Sequence, residues 1–215
     1  MNKLHQDQPI LTTGAPLHQA RAAMIMIHGR GASAEDILAL AHEFDMDDVA
    51  YLAPQAANNT WYPYRFIEPI ERNEPWLSSA LQVIDDLIKR GVASGIPAEH
   101  LVLLGFSQGA CLTLEYAARH PQRYGGIIGL SGGLIGADDA PHHTTGSLAG
   151  TPIFIGCSDV DFHIPLDRVH KAAQILGQLG GVVTERIYPG MDHTINQDEV
   201  DVVNNWLSEI IQSAM

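Results

Sequence analysis

The residues whose types and spacing could do chemistry centre on Gly105-Phe-Ser-Gln-Gly109, where a serine stands between two glycines. The pentapeptide joins an apolar run typical of a buried strand, 101–106, to a run with helical spacing, 108–118. In that setting Gly-x-Ser-x-Gly indicates a tight turn that holds a nucleophilic serine oxygen above the positive end of a helix. A buried turn with a structural serine has the same pattern, so Ser107 needs partners before the catalytic interpretation is favoured.

A serine hydroxyl becomes a good nucleophile when a base removes its proton and a carboxylate orients that base. His193 follows the last predicted strand, and Asp159 and Asp161 follow the strand before it. The chain order is therefore serine, acid, histidine, as expected for a hydrolase of this kind. The sequence predicts Ser107 as nucleophile and His193 as base. Spacing alone leaves open which aspartate is the acid, and the other would be a solvated loop residue or a helix cap.

Two backbone N–H groups must face the substrate oxygen on which negative charge develops. One is expected from Gln108, the residue after the serine, and the other from the loop His28-Gly-Arg-Gly31, which follows an earlier apolar strand. An ordinary glycine-rich turn is the alternative for this loop. His28 itself is interpreted as a structural residue that binds loop backbone, and His163 as an alternative substrate contact.

A metal site is the competing interpretation for one polar loop. Its ligands would be Asp138, Asp139, His142 and His143. Zinc ligands usually come from ordered elements at fixed spacing, and this cluster has no matching distant partner. We therefore expect no metal and no other cofactor.

Apolar runs of strand length alternate with helical patterns, which predicts the α/β class, a mainly parallel sheet with helices on both faces. Ligands then bind beyond the carboxyl ends of the strands, where the serine, acid and histidine would meet. The predicted strands are 9–13, 22–28, 49–53, 101–106, 125–130, 152–156 and 182–188. The predicted helices are 33–44, 77–91, 108–118, 165–179 and 196–211.

Two stretches break this alternation. Residues 55–75 show no clear period and contain four aromatic residues, Trp61, Tyr62, Tyr64 and Phe66. They predict either a substrate loop or lid, or a small satellite core folded inward. Residues 131–150 are polar and glycine-rich, which predicts a surface excursion.

The bulk composition limits the function classes. A chain of 215 residues with 46% hydrophobic residues fits one domain, 1–215, with a sizeable core. Its net charge of −13 argues against nucleic acid or an anionic membrane surface as the main partner. Cys111 and Cys157 lie in apolar segments and are expected to be reduced. No signal peptide or membrane span is visible, so a cytoplasmic protein is expected.

Four motifs occur in order along nearly the whole chain: His28-Gly-Arg-Gly31, Gly105-Phe-Ser-Gln-Gly109, Asp161-Phe-His-Ile-Pro165 and Gly190-Met-Asp-His193. Together they resemble the carboxylesterase/phospholipase family of α/β-hydrolases, which includes the acyl-protein thioesterases. The resemblance implies an α/β-hydrolase fold without a large cap domain. It implies Ser107 as nucleophile and His193 as base, and its x-x-Val/Ile-Pro ending favours Asp161 as acid. It also implies that the amides of Arg30 and Gln108 form the oxyanion hole.

The sequence departs from the family pattern at two places. The family's first loop commonly reads His-Gly-Leu-Gly-Asp, whereas Arg30 and Ala32-Ser33 stand here, and the segment 61–66 differs from the usual short substrate loop. Arg30 and Arg65 leave room for an anionic group on the substrate. Substrate contacts are expected from Trp61, Tyr62, Tyr64, Phe66 and Met191.

We therefore predict a serine carboxylic-ester hydrolase that acts through an acyl-enzyme on small soluble esters. No nucleic-acid partner, stable membrane association or cofactor is expected, and a homodimer stays open. The enzymatic alternatives are an acyl thioesterase or lysophospholipase-type hydrolase and a dienelactone-type hydrolase. The alternative from another class is a non-catalytic small-molecule-binding protein with the same fold, which would lack one residue of the serine, histidine and acid set.

Overall fold

The computed structural model describes residues 4–44, 46–138 and 145–213. Its strands are β1 Ile10–Gly14, β2 Ala22–Ile27, β3 Val49–Pro54, β4 Leu101–Phe106, β5 Gly126–Leu130, β6 Pro152–Ser158 and β7 Val182–Tyr188. They form one sheet in the order β1-β3-β2-β4-β5-β6-β7. The edge strand β1 pairs antiparallel with β3, and all other neighbours are parallel. The predicted α/β class is confirmed.

Helices lie between most of the parallel strands and after the last one. They are α1 Ala34–Ala39, α2 Ile70–Asn73, α3 Trp76–Ala93, α4 Gln108–Arg119, α5 Leu166–Gln178 and α6 Gln197–Ser213. The predicted capping pair is present at α1, where the Ser33 side chain accepts from the N–H of Asp36 and the Asp36 carboxylate accepts from the N–H of Ser33. Asn196 caps α6 in the same way, since its side chain accepts from the N–H of Glu199 at 3.0 Å.

The central strands are apolar along nearly their whole length because helices cover both faces of the sheet. Successive side chains enter two different layers. Met24 and Leu104 lie in a layer with α1 and α6. Ile25 and Leu103 lie in a layer with α3, α4 and α5. Among the described residues, no large cap domain interrupts these layers.

The prediction of a surface excursion is wrong for residues 131–136, which are buried. Ile135 belongs to the core layer beside α4. Its N–H donates to the buried carboxylate of Glu115 at 2.9 Å. The small residues of this stretch serve close packing, because a Cβ at Gly132 would lie 2.5 Å from the Cβ of Ala110. Serine and glycine therefore mark a close approach of two backbones here, and not a solvated loop.

The carboxyl ends of the parallel strands gather the residues singled out in the sequence. Ser107 follows β4 directly, Asp161 lies in the loop after β6 and His193 lies in the loop after β7. The loop that begins at His28 follows β2, which is the neighbour of β4. Because these strands run parallel, the four loops open at the same edge of the sheet.

Candidate active site

The turn at Ser107 has strained backbone geometry. Its φ is 54° and its ψ is −115°, a combination that residues other than glycine rarely adopt. The N–H of Ser107 donates to the carbonyl of Leu130 at 2.9 Å, which ties the turn to β5. A Cβ at Gly105 would collide with the backbone of Gly109, and a Cβ at Gly109 would collide with the carbonyl of Ile27. Both glycines are needed because β4, α4 and β2 approach so closely.

A chain of hydrogen bonds links this serine to a histidine and an aspartate. Nε2 of His193 lies 2.9 Å from Oγ of Ser107, and Nδ1 of His193 lies 2.6 Å from Oδ2 of Asp161. The Asp161 carboxylate is fully buried, whereas 14% of the His193 side chain is exposed. A neutral imidazole in this position donates from Nδ1 to the carboxylate and accepts at Nε2 from the serine hydroxyl.

The Asp161 carboxylate is held in its ionised form. Burial opposes the charge, but hydrogen bonds from His193 and from two backbone N–H groups outweigh burial and hold the pKa of Asp161 below its ordinary value. The backbone donors are the N–H groups of His163 and Ile164, at 2.8 and 3.1 Å from Oδ1. The loop after β6 is therefore folded around the carboxylate, which fixes the oxygen that faces His193.

Asp159, the other acid that spacing left open, binds elsewhere. Its Oδ1 accepts from the N–H of Gly190 at 2.7 Å. This bond joins the loop that carries Asp161 to the loop that carries His193. The structure thus brings Asp161, and not Asp159, to the histidine.

Two rings pack against the imidazole of His193. The Phe106 ring lies with its centroid 5.0 Å away, and the His163 ring lies edge-on at 4.8 Å. These contacts and the bond to Asp161 hold the imidazole in one orientation. His163, which the sequence analysis left as an alternative substrate contact, stands beside the site.

The two backbone N–H groups expected to face a substrate oxygen come from separate elements. Gln108 is the first residue of α4, so its N–H has no acceptor within the helix. Arg30 lies in the loop after β2. That loop passes next to the nucleophile turn, because a Cβ at Gly29 would lie 3.4 Å from the Cβ of Ser107. The geometry is compatible with donors at both positions.

His28 supports the same loop from inside the protein. Its imidazole is fully buried, with Nδ1 2.8 Å from the carbonyl of Gly29 and Nε2 accepting from the N–H of Ala56 at 3.1 Å. The N–H of Gly31 donates to the carbonyl of Asn59 at 2.7 Å. Burial lowers the pKa of His28, which keeps the ring neutral. His28 therefore has the structural role that the sequence predicted.

The side chain of Gln108 has a role that sequence reasoning missed. It is buried, and Oε1 accepts from the N–H of Trp61 while Nε2 donates to the carbonyl of Tyr62, both at 2.9 Å. These two bonds attach residues 61–66, the aromatic segment, to the first turn of α4. No pattern in the sequence signals this contact, because the two partners are far apart along the chain.

The side chain of Arg30 also binds the aromatic segment. Its guanidinium donates to three consecutive carbonyl oxygens, at 2.8, 3.0 and 2.7 Å, which belong to Tyr62, Pro63 and Tyr64. The guanidinium is therefore engaged by the protein itself. An arginine where the family commonly has leucine was the one signal that could have pointed to this role.

A cavity of about 600 Å³ opens above Ser107. Tyr62, Tyr64 and Phe66 line it, as expected. Tyr62 and Phe66 are buried, whereas 47% of Tyr64 is exposed. The segment 55–75 therefore packs inward against the main core and also forms a wall of the cavity. Its role as a substrate loop stays a prediction.

Two residues expected to contact substrate lie outside the cavity lining. Trp61 is fully buried, and its indole N–H donates to the carbonyl of His28 at 2.9 Å. The sulfur of Met191 accepts from the Asn196 side chain at 3.0 Å. Both side chains support loops around the site, and the geometry does not favour substrate contact for either.

No group of three or more metal-ligating side chains occurs within the ranges that the structure describes. Of the loop residues considered as ligands, Asp138 accepts from Arg168 at 3.1 Å. Asp139, His142 and His143 lie outside the described residues. Within the described ranges, none of the helices has the length and apolar character needed to span a bilayer.

Comparison with known proteins agrees with this fold. A family model described as phospholipase/carboxylesterase matches residues 9–211. The crystal structure of a phospholipase/carboxylesterase from Dyadobacter fermentans is 44% identical, with a TM-score of 0.89, covering 94% of this chain and 97% of that one. Acyl-protein thioesterase 1 of Saccharomyces cerevisiae is 26% identical, covering 94% of this chain and 99% of its own. A probable carboxylesterase of Arabidopsis thaliana is 26% identical, covering 91% of this chain and 81% of its own. The chain belongs to the phospholipase/carboxylesterase family of α/β-hydrolases.

Proposed function

We propose that this chain is a serine hydrolase that cleaves small carboxylic esters through an acyl-enzyme, with Ser107 as nucleophile, His193 as base and Asp161 as acid. The observation that carries the proposal is the continuous chain of hydrogen bonds from Ser107 through His193 to Asp161, set at a strained turn beneath an open cavity. Membership of a family of ester hydrolases supports the reaction class.

The first half of the reaction forms the acyl-enzyme. Oγ of Ser107 attacks the ester carbonyl carbon while Nε2 of His193 takes the hydroxyl proton. The ionised Asp161 stabilises the imidazolium that results. His193 then gives this proton to the leaving oxygen, the bond between the carbonyl carbon and that oxygen breaks, and the acyl group stays on Ser107.

The second half repeats these steps with water. His193 takes a proton from a water molecule, the hydroxide attacks the acyl carbon, and the proton returns to Oγ of Ser107 as the acid leaves. The backbone N–H groups of Arg30 and Gln108 stabilise the negative oxygen in both halves. Each such donor lowers the barrier by about 3 kcal/mol in enzymes of this type.

The cavity supports a small, partly apolar substrate. Tyr62, Phe66 and Cys111 form an apolar part of its wall. A thioester of the same acid would meet the same nucleophile and the same N–H donors. The names of the acyl-protein thioesterase relatives favour thioester hydrolysis as the second candidate function. Turnover of an oxygen ester and a thioester of one acid separates the two.

The state of the two cysteines indicates the kind of cellular compartment that suits this protein. Cys111 and Cys157 are free and buried, and burial raises the pKa of their thiols to about 11 and about 12. Inert, unpaired thiols suit a reducing compartment, and we place the enzyme in the cytoplasm as part of this proposal. A homodimer stays a prediction.

The test is covalent labelling with a fluorophosphonate, followed by intact mass and peptide mapping. We expect one adduct, on Ser107, and no adduct in the Ser107→Ala variant. Ser131→Ala is the matched control, because Ser131 is also a serine with a positive φ, 57°, directly after a strand. Labelling should persist in that control. An unlabelled wild type, or a label on another residue, would refute the proposed mechanism.

A further inference from the structure

The cavity wall has a local charge opposite to that of the whole molecule. The chain carries 12 Lys and Arg against 25 Asp and Glu. The fixed charges in the lining are Arg30, Arg65 and Glu68. Glu68 accepts from Arg72 at 2.7 Å, so its charge is compensated. The lining is therefore cationic, and an anionic group entering the cavity would meet a favourable local field.

Arg65 is the cation in this lining whose side chain is not engaged. The guanidinium of Arg30 donates to three carbonyl oxygens. Among the described residues, the Arg65 guanidinium has no hydrogen bond or ion pair, although its side chain faces the cavity. A guanidinium offers a planar fork of N–H donors that matches a carboxylate.

The backbone that carries Arg65 is fixed. The carbonyl of Arg65 accepts from the side chain of Asn73 at 3.1 Å, and the same side chain accepts from the N–H of Tyr64 at 2.9 Å. Asn73 is fully buried. On the other side, the carbonyl of Phe66 accepts from the N–H of Gly136 at 2.8 Å. The guanidinium therefore extends from a rigid base at the wall of the cavity.

The position of His163 indicates which side of the substrate this guanidinium faces. His163 lines the same cavity, and its ring packs edge-on against His193 at 4.8 Å. Partial burial, and then the neighbouring His193 and the charge of Arg65, lower the pKa of His163, although the Asp161 carboxylate acts in the opposite direction. It is therefore neutral and can donate one hydrogen bond without repelling a cation. Because His193 protonates the leaving oxygen, the leaving group lies beside His193 and the His163 ring that packs on it. Arg65 lines the same cavity and is near enough to His163 for its charge to act on that ring.

We propose that Arg65 and His163 form a subsite for a carboxylate on the leaving group, so that the preferred substrates are esters whose alcohol part is anionic. This inference rests on the proposed ester hydrolysis and names its substrate class. Arg65 supplies the charge and the two-pronged donor, and His163 supplies a neutral donor beside the base.

The test compares kcat/KM for two pairs of esters. In the first pair the leaving phenol carries a carboxylate or a neutral amide, 4-acetoxybenzoate and 4-acetoxybenzamide. In the second pair the acyl side carries or lacks the carboxylate, mono-4-nitrophenyl glutarate and 4-nitrophenyl pentanoate. Each pair is measured in the wild type, in Arg65→Gln and in Arg90→Gln. Arg90 is exposed near the end of α3 and outside this cavity, so its variant makes the same change in net charge.

We expect the ratio of 4-acetoxybenzoate to 4-acetoxybenzamide turnover to fall about tenfold in Arg65→Gln, as for loss of a charge-assisted hydrogen bond. It should not change in Arg90→Gln. The difference in intrinsic reactivity between the two esters of a pair is the same for every variant, so it cancels when the ratios are compared between variants. Raising sodium chloride from about 20 mM to about 0.5 M should reduce the ratio in the wild type and have little effect in Arg65→Gln.

Two results of the turnover comparison would overturn the subsite. One is a ratio that is the same in wild type and Arg65→Gln, and the other is a loss confined to the glutarate pair, which would put the anion on the acyl side. Turnover of the neutral ester that persists in Ser107→Ala would refute the proposed function instead. Calorimetry with the product 4-hydroxybenzoate tests the subsite without turnover. We expect about tenfold weaker binding in Arg65→Gln, and equal binding would overturn the proposal.

Discussion

At the scale of single residues, two aspartates in one short loop have different tasks. Asp161 is buried, ionised and bonded to the histidine. Asp159 holds the backbone of the histidine loop. An asparagine at 161 keeps the shape but loses the charge that stabilises the imidazolium and selects its tautomer.

We expect Asp161→Asn to lower kcat by about a thousandfold or more, with an unchanged circular dichroism spectrum. Asp159→Asn removes one hydrogen bond to a backbone N–H, so its kcat should fall by less than about tenfold. Steady-state hydrolysis of a chromogenic acetate ester measures both. A larger loss in Asp159→Asn than in Asp161→Asn would show that the assignment of the acid is wrong.

At the scale of elements, the first turn of α4 does two things at once. Its backbone presents the N–H of Gln108 to the cavity, and the Gln108 side chain holds the aromatic segment through the N–H of Trp61 and the carbonyl of Tyr62. The segment that shapes the cavity is thus attached to the same residue that follows the nucleophile. From the loop after β2, Arg30 binds the same carbonyl of Tyr62 and the two that follow it.

Gln108→Ala separates these two tasks, because it keeps the backbone N–H. The buried N–H of Trp61 loses its partner, and the carbonyl of Tyr62 keeps only its bond from Arg30. This loss should lower the free energy of unfolding by about 2 kcal/mol. We also expect faster amide hydrogen exchange in 61–64 and a larger effect on KM than on kcat.

Gln82→Ala is the control for this variant, since the Gln82 side chain binds only Asp85 and Asp86 on α3 in the described structure. Urea unfolding and hydrogen exchange measure both variants. Equal exchange rates in wild type and Gln108→Ala would contradict the attachment of the segment through this side chain.

At the scale of the whole molecule, stability depends on a buried acid at the start of α6. Glu199 is fully buried, and its Oε2 accepts from the N–H of Asn196 at 2.9 Å. Within the described residues its Oε1 has no hydrogen-bond partner. Burial raises the pKa of Glu199 to about 7, although the bond from Asn196 acts in the opposite direction.

This raised pKa predicts the sign of a pH effect on folding. The folded state binds the Glu199 proton more tightly than the unfolded state does, so the contribution is fully present below the ordinary pKa and is lost as pH rises through about 7. The free energy of unfolding of Glu199→Gln, relative to that of the wild type, should therefore rise by about 2 kcal/mol as pH rises from about 5 to about 8.

Urea unfolding of the wild type and Glu199→Gln at several pH values measures this difference. Glutamine can keep the acceptor for Asn196 and cannot ionise, so it isolates the charge. The matched control is Glu209→Gln, because Glu209 is an exposed acidic residue of the same helix. A difference between wild type and Glu199→Gln that does not change with pH would contradict the expectation.

Much of the architecture could be predicted because strands and helices follow from local patterns of apolar residues along the chain. Continuous apolar runs such as Ala22–Ile27 and helical spacing such as that in Trp76–Ala93 identified strands and helices within a few residues. Residues 131–136 were mispredicted because small polar residues look the same in a solvated loop and where two backbones nearly touch. Only the neighbouring helix distinguishes the two.

The sequence by itself determined the order of strands and helices, the turn around Ser107 and the chain order of serine, acid and histidine, since each depends on residues close together along the chain. Tertiary structure decided which aspartate meets His193 and which aromatic side chains line the cavity. It also decided that the Arg30 guanidinium is engaged while the Arg65 guanidinium has no hydrogen-bond partner among the described residues. The physical reason is that each of these depends on distances between loops from different strand ends. Local patterns do not encode those distances, because packing of the whole sheet and its helices sets them.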